Sequence, residues 1–286
     1  MSMTAILVFV RAIHFGATVL TAGALVFDLL AAPSGAPGTR RKIALLVRCA
    51  ATAGLASAVL WIIAQGAMIG GELAAVNLPL LRTLVAETQF GRVMVIRMLL
   101  FAALILGGSS WRVPGLVVGL ALAGSLAWCG HAAAGMGVTG NIHLAADAIH
   151  CIAASAWLGG LVCLVYALRL ASEDRAIAIA RRFSTLALIS VAALLASGLV
   201  NAWFLVGTPA RLFATEYGRT LLVKIALFLA MLTIAAVNRW HVMPRIASPG
   251  SIATLRRNTL AEACLGALVL CVVAWLGILP PAGHFH

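Results

Sequence analysis

Histidine is the side chain with the clearest chemical potential in this sequence. His143, Asp147 and His150 follow one another at intervals of four and three residues, which places them on one face of a helix. Imidazole binds copper, zinc, iron and nickel, and thioether or thiolate donors beside it favour Cu(I). A carboxylate next to a liganding histidine either binds the metal itself or fixes the tautomer of the ring. The spacing therefore predicts a metal site on this helix.

Further histidines stand near the ends of other apolar segments. His14 lies in the first apolar segment, and His131 directly follows Gly130 at the end of the fourth. His284 and His286 belong to a short C-terminal tail, which suits metal capture better than fixed ligation. Thioethers and thiols in an apolar helix are usually packing residues, so the prediction of a metal site depends on the histidines. Soft donors at a similar predicted depth are Met68, Met94, Met98, Met136, Cys129 and Cys151.

The elements that must position these side chains are membrane-spanning helices. Hydrophobic residues make up 63% of the chain and charged residues 10%, which is more apolar surface than one soluble core buries. Each apolar run of about 20 residues can cross the roughly 30 Å hydrocarbon layer, and lipid forces its backbone into a helix. We predict one all-α polytopic membrane domain over residues 1–286 with about eight transmembrane helices. The predicted spans are 4–30, 43–70, 92–109, 114–135, 142–169, 184–207, 219–240 and 259–280.

The distribution of Lys and Arg predicts the orientation of these helices. Most of the 20 basic residues flank the first, third, fifth and seventh loops, which the positive-inside rule assigns to the cytoplasm. Both termini and every histidine except His241 are therefore expected on the periplasmic side. The first apolar run carries Arg11 and lacks a basic N-terminal region, so we expect a retained helix and not a signal peptide. The net charge of +12 comes from basic residues in short clusters between the apolar runs, and such clusters set the orientation of helices in the lipid bilayer. The sequence has no basic face suited to nucleic acid.

An internal repeat relates the first half of the sequence to the second. His14 precedes Gly23 by nine residues, and His150 precedes Gly159 by the same interval. Four similarities in the same order indicate a duplicated unit and not a chance match. The other matched segments are Leu55-Ala56-Ser57 with Leu195-Ala196-Ser197, Phe90-Gly91-Arg92 with Tyr217-Gly218-Arg219, Arg97 with Lys224, Phe101 with Phe228, and Gly130-His131 with Gly283-His284.

The duplication predicts how the helices are arranged. Two four-helix units, about residues 1–138 and 139–286, are expected to lie parallel to one another about a pseudo-twofold axis along the membrane normal. The axis would bring His14 and His150 towards each other from the two halves.

Ionisable side chains within the predicted spans form a second polar feature. Lys224 lies about one turn inside the outer boundary, near the predicted depth of Asp147 and Asn201, so we expect a buried polar cluster. Snorkelling of the ammonium group to the membrane surface is the alternative. The sequence contains no phosphate-binding loop, GxSxG elbow, HExxH motif or hydrolytic carboxylate pair. Neither an ATP-driven pump nor an enzyme is therefore expected.

Several of these residues also match a known family. Together they resemble the CopD family of bacterial inner-membrane copper-resistance proteins over nearly the whole chain. The resemblance implies movement of copper across the inner membrane with a periplasmic CopC-type copper-binding partner. Some relatives carry a fused CopC-like domain that these residues lack, so the partner is expected to be a separate protein. The matching residues are the segment around His14, Gly130-His131, Asp147-x-x-His150 followed by Trp157-Leu158-Gly159-Gly160-Leu161, Phe183-Ser184, Tyr217-Gly218-Arg219 with Lys224, and Asn238-Arg239.

The leading hypothesis is copper transport or homeostasis, with the copper ion taken at a periplasmic-face histidine site. His14 and His150 are the expected central ligands, His131 and His143 the supporting ligands, and Asp147 the carboxylate beside them. The rival hypothesis is a b-type haem protein, because paired histidines on neighbouring helices are what axial haem ligation requires. A third hypothesis is a scaffold or sensor that binds metal without moving it.

Overall fold

In lipid the backbone can satisfy its hydrogen bonds only internally, and the chain forms helices accordingly. The computed structural model describes residues 2–32, 37–107, 111–130, 135 and 137–282. Within these residues, eight helices are long and apolar enough to cross a membrane, and none of the described residues forms a strand. The prediction of an all-α membrane protein with about eight spans is confirmed.

The helices follow the predicted spans in order but differ from them at several ends. α8 begins at Glu173, well before the predicted start at residue 184, because Arg175, Arg181 and Arg182 continue the helix beyond the apolar segment. Two short helices, α3 and α9, also lie outside the predicted spans. In chain order the elements are α1 (Met3–Val26) with a π-helical extension (Phe27–Ala31), α2 (Pro37–Gly70), α3 (Leu78–Glu87), α4 (Gln89–Leu106), α5 (Arg112–Gly124) with a 3-10 extension (Ser125–Cys129), α6 (Gly137–Ala154), a π-helical segment (Ser155–Gly159), α7 (Gly160–Leu170), α8 (Glu173–Val206), α9 (Pro209–Ala214), α10 (Glu216–Val237) with a π-helical extension (Asn238–Val242), and α11 (Ser251–Leu276).

The short helices α3 and α9 lead into α4 and α10 through the same local structure. Thr88 Oγ1 accepts a hydrogen bond from Gly91 N at 3.0 Å, and Thr215 Oγ1 accepts one from Gly218 N at 2.9 Å. Each threonine thus caps the long helix that follows it. A Cβ on either glycine would collide with the backbone of the preceding short helix. These contacts favour the internal repeat, which stays a prediction for the whole chain.

α1 crosses the π-helical segment between α6 and α7 with the two backbones in direct contact. A Cβ on Gly23 would meet the carbonyl oxygen of Ser155 and the Cα of Gly159, and a Cβ on Gly159 would meet the Val19 carbonyl. Small residues allow helices to approach this closely in a membrane. Gly23 and Gly159 are the two glycines that the predicted repeat pairs, so their contact marks where a pseudo-twofold axis would pass.

Gly23→Ala is expected to destabilise this crossing by about 1–3 kcal/mol, because the added methyl group overpacks a backbone contact. Gly16→Ala on the same helix is the matched control, since a Cβ at Gly16 has no atom within 4 Å. Thermal unfolding of the purified variants in detergent measures both effects. Equal stability of the two variants would contradict the crossing as described.

α1 lies at the centre of the bundle, where it packs against α2, α5, α11 and the π-helical segment 155–159. The largest buried apolar cluster surrounds Phe27, Trp157 and Phe183 at one end of these helices. A second apolar cluster lies towards the other end of these helices. It contains Trp61 and part of α1. A cavity between the two halves lies at the same end and holds the candidate site.

Candidate functional site

His150 on α6 is held through one ring nitrogen. Its Nδ1 lies 3.1 Å from Ser197 Oγ, and that hydroxyl donates its own hydrogen to the Ala193 carbonyl at 2.6 Å. The serine can therefore only accept from the ring, which assigns the proton to Nδ1. The Nε2 lone pair is used by no hydrogen bond among the described residues. A neutral imidazole with a free and oriented lone pair is the form that binds metals.

Asp147 lies one helical turn before His150. Its Oδ1 accepts a hydrogen bond from Asn201 Nδ2 at 2.9 Å, which ties α6 to α8. The side-chain amide oxygen of Asn201, Oδ1, is buried and has no hydrogen-bond partner among the described residues. The predicted proximity of Asp147 and Asn201 is therefore present in the structure.

A cavity of about 230 Å³ opens between the two halves beside these residues. Its walls come from α1, the 3-10 segment after α5, α6, α8, α10 and α11. Lys224 on α10 lines the same cavity, so the three residues of the predicted polar cluster share one space. The polar and ionisable side chains in its wall are Arg11, Cys129, His143, Asp147, His150, Cys151, Asn201, Tyr217 and Lys224.

His143 lines the cavity one turn before Asp147. Its ring stacks on Phe204 of α8, with the ring centroids 4.8 Å apart and an angle of 12° between the planes. This contact fixes the orientation of the imidazole plane. His143, Asp147 and His150 thus occupy one face of α6, as their spacing predicted.

His14 on α1 is in a different state from His150. Its side chain is fully buried, and its Nε2 accepts a hydrogen bond from Arg97 Nε at 3.0 Å. Its Nδ1 lies 3.0 Å from Ser57 Oγ, which donates to the Gly54 carbonyl at 3.0 Å. Both ring nitrogens are therefore engaged. His14 does not line the 230 Å³ cavity, and its role as a ligand stays a prediction.

Arg97 on α4 is fully buried, and each of its three guanidinium nitrogens donates at least one hydrogen bond. Besides His14, one terminal nitrogen donates to the Leu122 carbonyl at 2.7 Å and to Ser125 Oγ at 2.6 Å. The other donates to Thr18 Oγ1 at 2.6 Å. The guanidinium group thus joins α1, α4 and the end of α5 into one hydrogen-bonded cluster.

The two halves present the same histidine–serine pair with different cations. His14 pairs with Ser57 as His150 pairs with Ser197, but Arg97 occupies the ring nitrogen that is free in His150. Lys224, at the position matched to Arg97, lines the cavity instead. Among the described residues, one ring nitrogen is therefore free of hydrogen bonds in His150, whereas both are engaged in His14.

Comparison with known proteins decides the family. A model of copper resistance protein D matches residues 177–276, and a model of the N-terminal domain of copper resistance protein D-like proteins matches residues 1–141. The inner membrane protein YebZ of Escherichia coli is 33% identical over 95% of this chain and 97% of its own length. This chain belongs to the copper resistance protein D family.

Two further relatives within the copper resistance protein D family cover most of the chain. Copper resistance protein D of Pseudomonas syringae is 31% identical over 79% of this chain and 80% of its own length. The copper transport protein CutJ of Bacillus subtilis is 32% identical over 74% of this chain and 40% of its own length. No solved structure matches. With eight candidate spans among the residues that the structure describes, this family member is a multi-pass inner-membrane protein, as predicted.

The remaining predicted donors differ in whether the structure describes them. Met68 lies exposed near the end of α2 and does not line the cavity. Met94 and Met98 on α4 do not line the cavity either. Among the described residues, no group of three or more His, Cys, Asp or Glu side chains lies close enough together to hold a metal ion. Four further predicted donors, His131, Met136, His284 and His286, lie outside the described residues.

Three residues line the cavity although the sequence did not favour them as site residues. Cys129 and Cys151 line it, although thiols in an apolar helix are usually packing residues, and so does Arg11, which the sequence showed only as a charge in the first apolar run. Two features of the sequence place these residues beside predicted ligands. Cys151 directly follows His150, and Arg11 precedes His14 by three residues on the same helix. Neither feature shows the direction in which a side chain points.

Proposed function

We propose that this chain handles copper in the inner membrane and takes it at the 230 Å³ cavity, at the end of the bundle that we predict to face the periplasm. The observation that carries the proposal is His150, whose Nδ1–H is fixed by Ser197 while Nε2 stays available beside Asp147. The copper-related names of its relatives support copper over other metals that imidazole binds.

The side chains of α6 supply the proposed ligands. His150 Nε2 is the first donor, Asp147 the anionic neighbour and His143 the second imidazole. Cys151 and Cys129 line the same cavity, and thiol sulfur favours Cu(I). Copper is cargo here, so a site with few fixed ligands that accepts and releases the ion suits the function better than a closed structural site.

The haem alternative fits the chain less well. The cavity of about 230 Å³ lies below the roughly 300–1,000 Å³ typical of sites for drug-sized ligands. The second histidine of the expected axial pair, His14, gives its Nε2 to Arg97. We therefore propose that no haem is bound, and an absorption spectrum of the purified protein without a Soret band tests this.

The proposed activity is movement of copper and not catalysis. A copper-binding periplasmic protein of the CopC type is the proposed donor, because the cavity lies at the end of the bundle predicted to face the periplasm. A scaffold or sensor would bind copper at the same residues, so copper binding alone does not separate these functions.

Cellular copper content separates transport from mere binding. In a strain that lacks the chain, the wild-type protein is expected to restore the copper content and copper tolerance of the parent, whereas His150→Ala leaves both at the level of the deletion. His241→Ala, which changes an exposed histidine at the other end of the bundle, is the control. Full restoration by His150→Ala at equal protein level would contradict the proposal.

A further inference from the structure

A second cavity, of about 810 Å³, lies at the other end of α1 and α5 from the candidate site. Four arginines line this basic cavity, whereas Asp28 is the one acidic side chain among the described residues of its wall. The wall therefore has three more positive charges than negative ones. Apolar side chains of α1, α2 and α4 complete it. The four arginines are Arg40, Arg41, Arg48 and Arg112.

Arg112, at the start of α5, is held in place from one side. Its Nε donates to Asp28 Oδ2 at 3.0 Å, and its Nη2 donates to the Asp28 carbonyl at 2.9 Å. Its Nη1 makes no hydrogen bond among the described residues, and 28% of the side chain is accessible. The guanidinium is thus fixed in position and still has donors for a ligand.

Arg48 on α2 reaches the same edge of the basic cavity. Its Nη2 donates to the Gly107 carbonyl at 3.2 Å, and the side chain is exposed. Trp111 packs on that glycine, since a Cβ on Gly107 would lie 2.8 Å from Trp111 Cε3. Trp111 directly precedes Arg112 in the chain. Arg48 and Arg112 therefore both adjoin one tryptophan, and each presents accessible guanidinium donors there.

The position of the basic cavity in the bundle suits a lipid headgroup. It lies where α4 ends and α5 begins, and Trp111 is 42% exposed there, as is typical of tryptophan at a membrane–water interface. Basic pockets between transmembrane helices bind anionic headgroups, and the guanidinium fork matches phosphate oxygens. One helical turn deeper, Leu25 and Leu104 make the wall apolar, which suits acyl chains.

We infer that the basic cavity binds an anionic phospholipid of the surrounding bilayer. Arg48 and Arg112 donate hydrogen bonds to its phosphate, and the acyl chains lie along Leu25 and Leu104. The excess of three positive charges favours a lipid with net negative charge, such as phosphatidylglycerol, over a zwitterionic one. The bound lipid joins α2 to the ends of α4 and α5, and its binding does not depend on copper.

Native mass spectrometry of the full chain in detergent tests this site with phosphatidylglycerol and phosphatidylcholine of identical acyl chains. Phosphatidylglycerol is expected to bind the wild-type protein at least roughly tenfold more tightly, because both lipids carry a phosphate but only one is a net anion. Arg48→Gln is expected to lower the phosphatidylglycerol affinity about fivefold to tenfold and to leave phosphatidylcholine binding unchanged. The matched control is Arg257→Gln, which removes an exposed charge of α11 outside the basic cavity.

Three results would each overturn the lipid site. They are equal affinities of the wild-type protein for the two lipids, an unchanged preference in Arg48→Gln, and an equal loss of preference in Arg257→Gln. Arg41→Gln, a change of an exposed side chain in the same wall, replaces Arg48→Gln if that variant does not fold. Displacement of phosphatidylglycerol by inorganic phosphate would make the ligand a soluble phosphate, whereas retention of the lipid supports the inference.

Discussion

His150→Ala lowers the affinity of the purified protein for Cu(I) by at least about 100-fold. The reason is that Nε2 of this ring is the donor that the structure leaves free, and loss of an outer partner of a metal ligand alone typically costs about 10–100-fold. Competition with a chromogenic Cu(I) chelator under reducing conditions measures the affinity. The change leaves the fold intact, because His150 makes one side-chain hydrogen bond and borders a cavity.

Two matched variants sharpen this expectation. Ser197→Ala removes the acceptor that fixes the ring and is expected to lower copper affinity by about 10–100-fold while leaving the ligand in place. His241→Ala changes an exposed imidazole far along α10 from Lys224 and is expected to have no effect. If His150→Ala binds copper as tightly as His241→Ala does, the cavity is not the copper site.

Arg97→Ala destabilises the protein by about 3–5 kcal/mol. It removes a fully buried side chain and the donors to four acceptors, and it leaves a cavity in the first half. His14→Ala removes only one of those acceptors and is expected to cost about 1–3 kcal/mol, with copper affinity retained. Unfolding in a denaturing detergent, followed by circular dichroism, measures these differences.

The control for this second expectation is Arg92→Ala. Arg92 is exposed on the same helix, so its removal is expected to change stability by no more than about 0.5 kcal/mol. A stability of Arg97→Ala equal to that of Arg92→Ala would contradict the buried cluster. Loss of copper binding in a stable His14→Ala protein would instead make His14 a ligand.

Helical spacing predicted the part of the site that lies on one element. His143, Asp147 and His150 share a face of α6 because intervals of four and three residues fix that face whatever surrounds it. Depth in the membrane likewise predicted that Lys224 and Asn201 lie near Asp147. These relations follow from helix geometry and from the length of each span, and both can be read from sequence.

Relations between helices were harder to predict. The predicted repeat matches Arg97 with Lys224, but it could not show that Arg97 turns to His14 while Lys224 lines a cavity. That difference depends on the rotation of each helix and on acceptors such as Thr18 and Ser125, which carry no distinctive pattern. Periodicity places a residue on a helix face, whereas packing decides which neighbour it meets.

Copper X-ray absorption of the copper-loaded wild-type protein and of His150→Ala tests the central claim most directly. The account predicts bound copper in the wild type whose spectrum contains the scattering of an imidazole ring, and loss of that scattering or of the copper itself in His150→Ala. A wild-type protein that retains no copper, or two identical spectra with equal copper content, would contradict it.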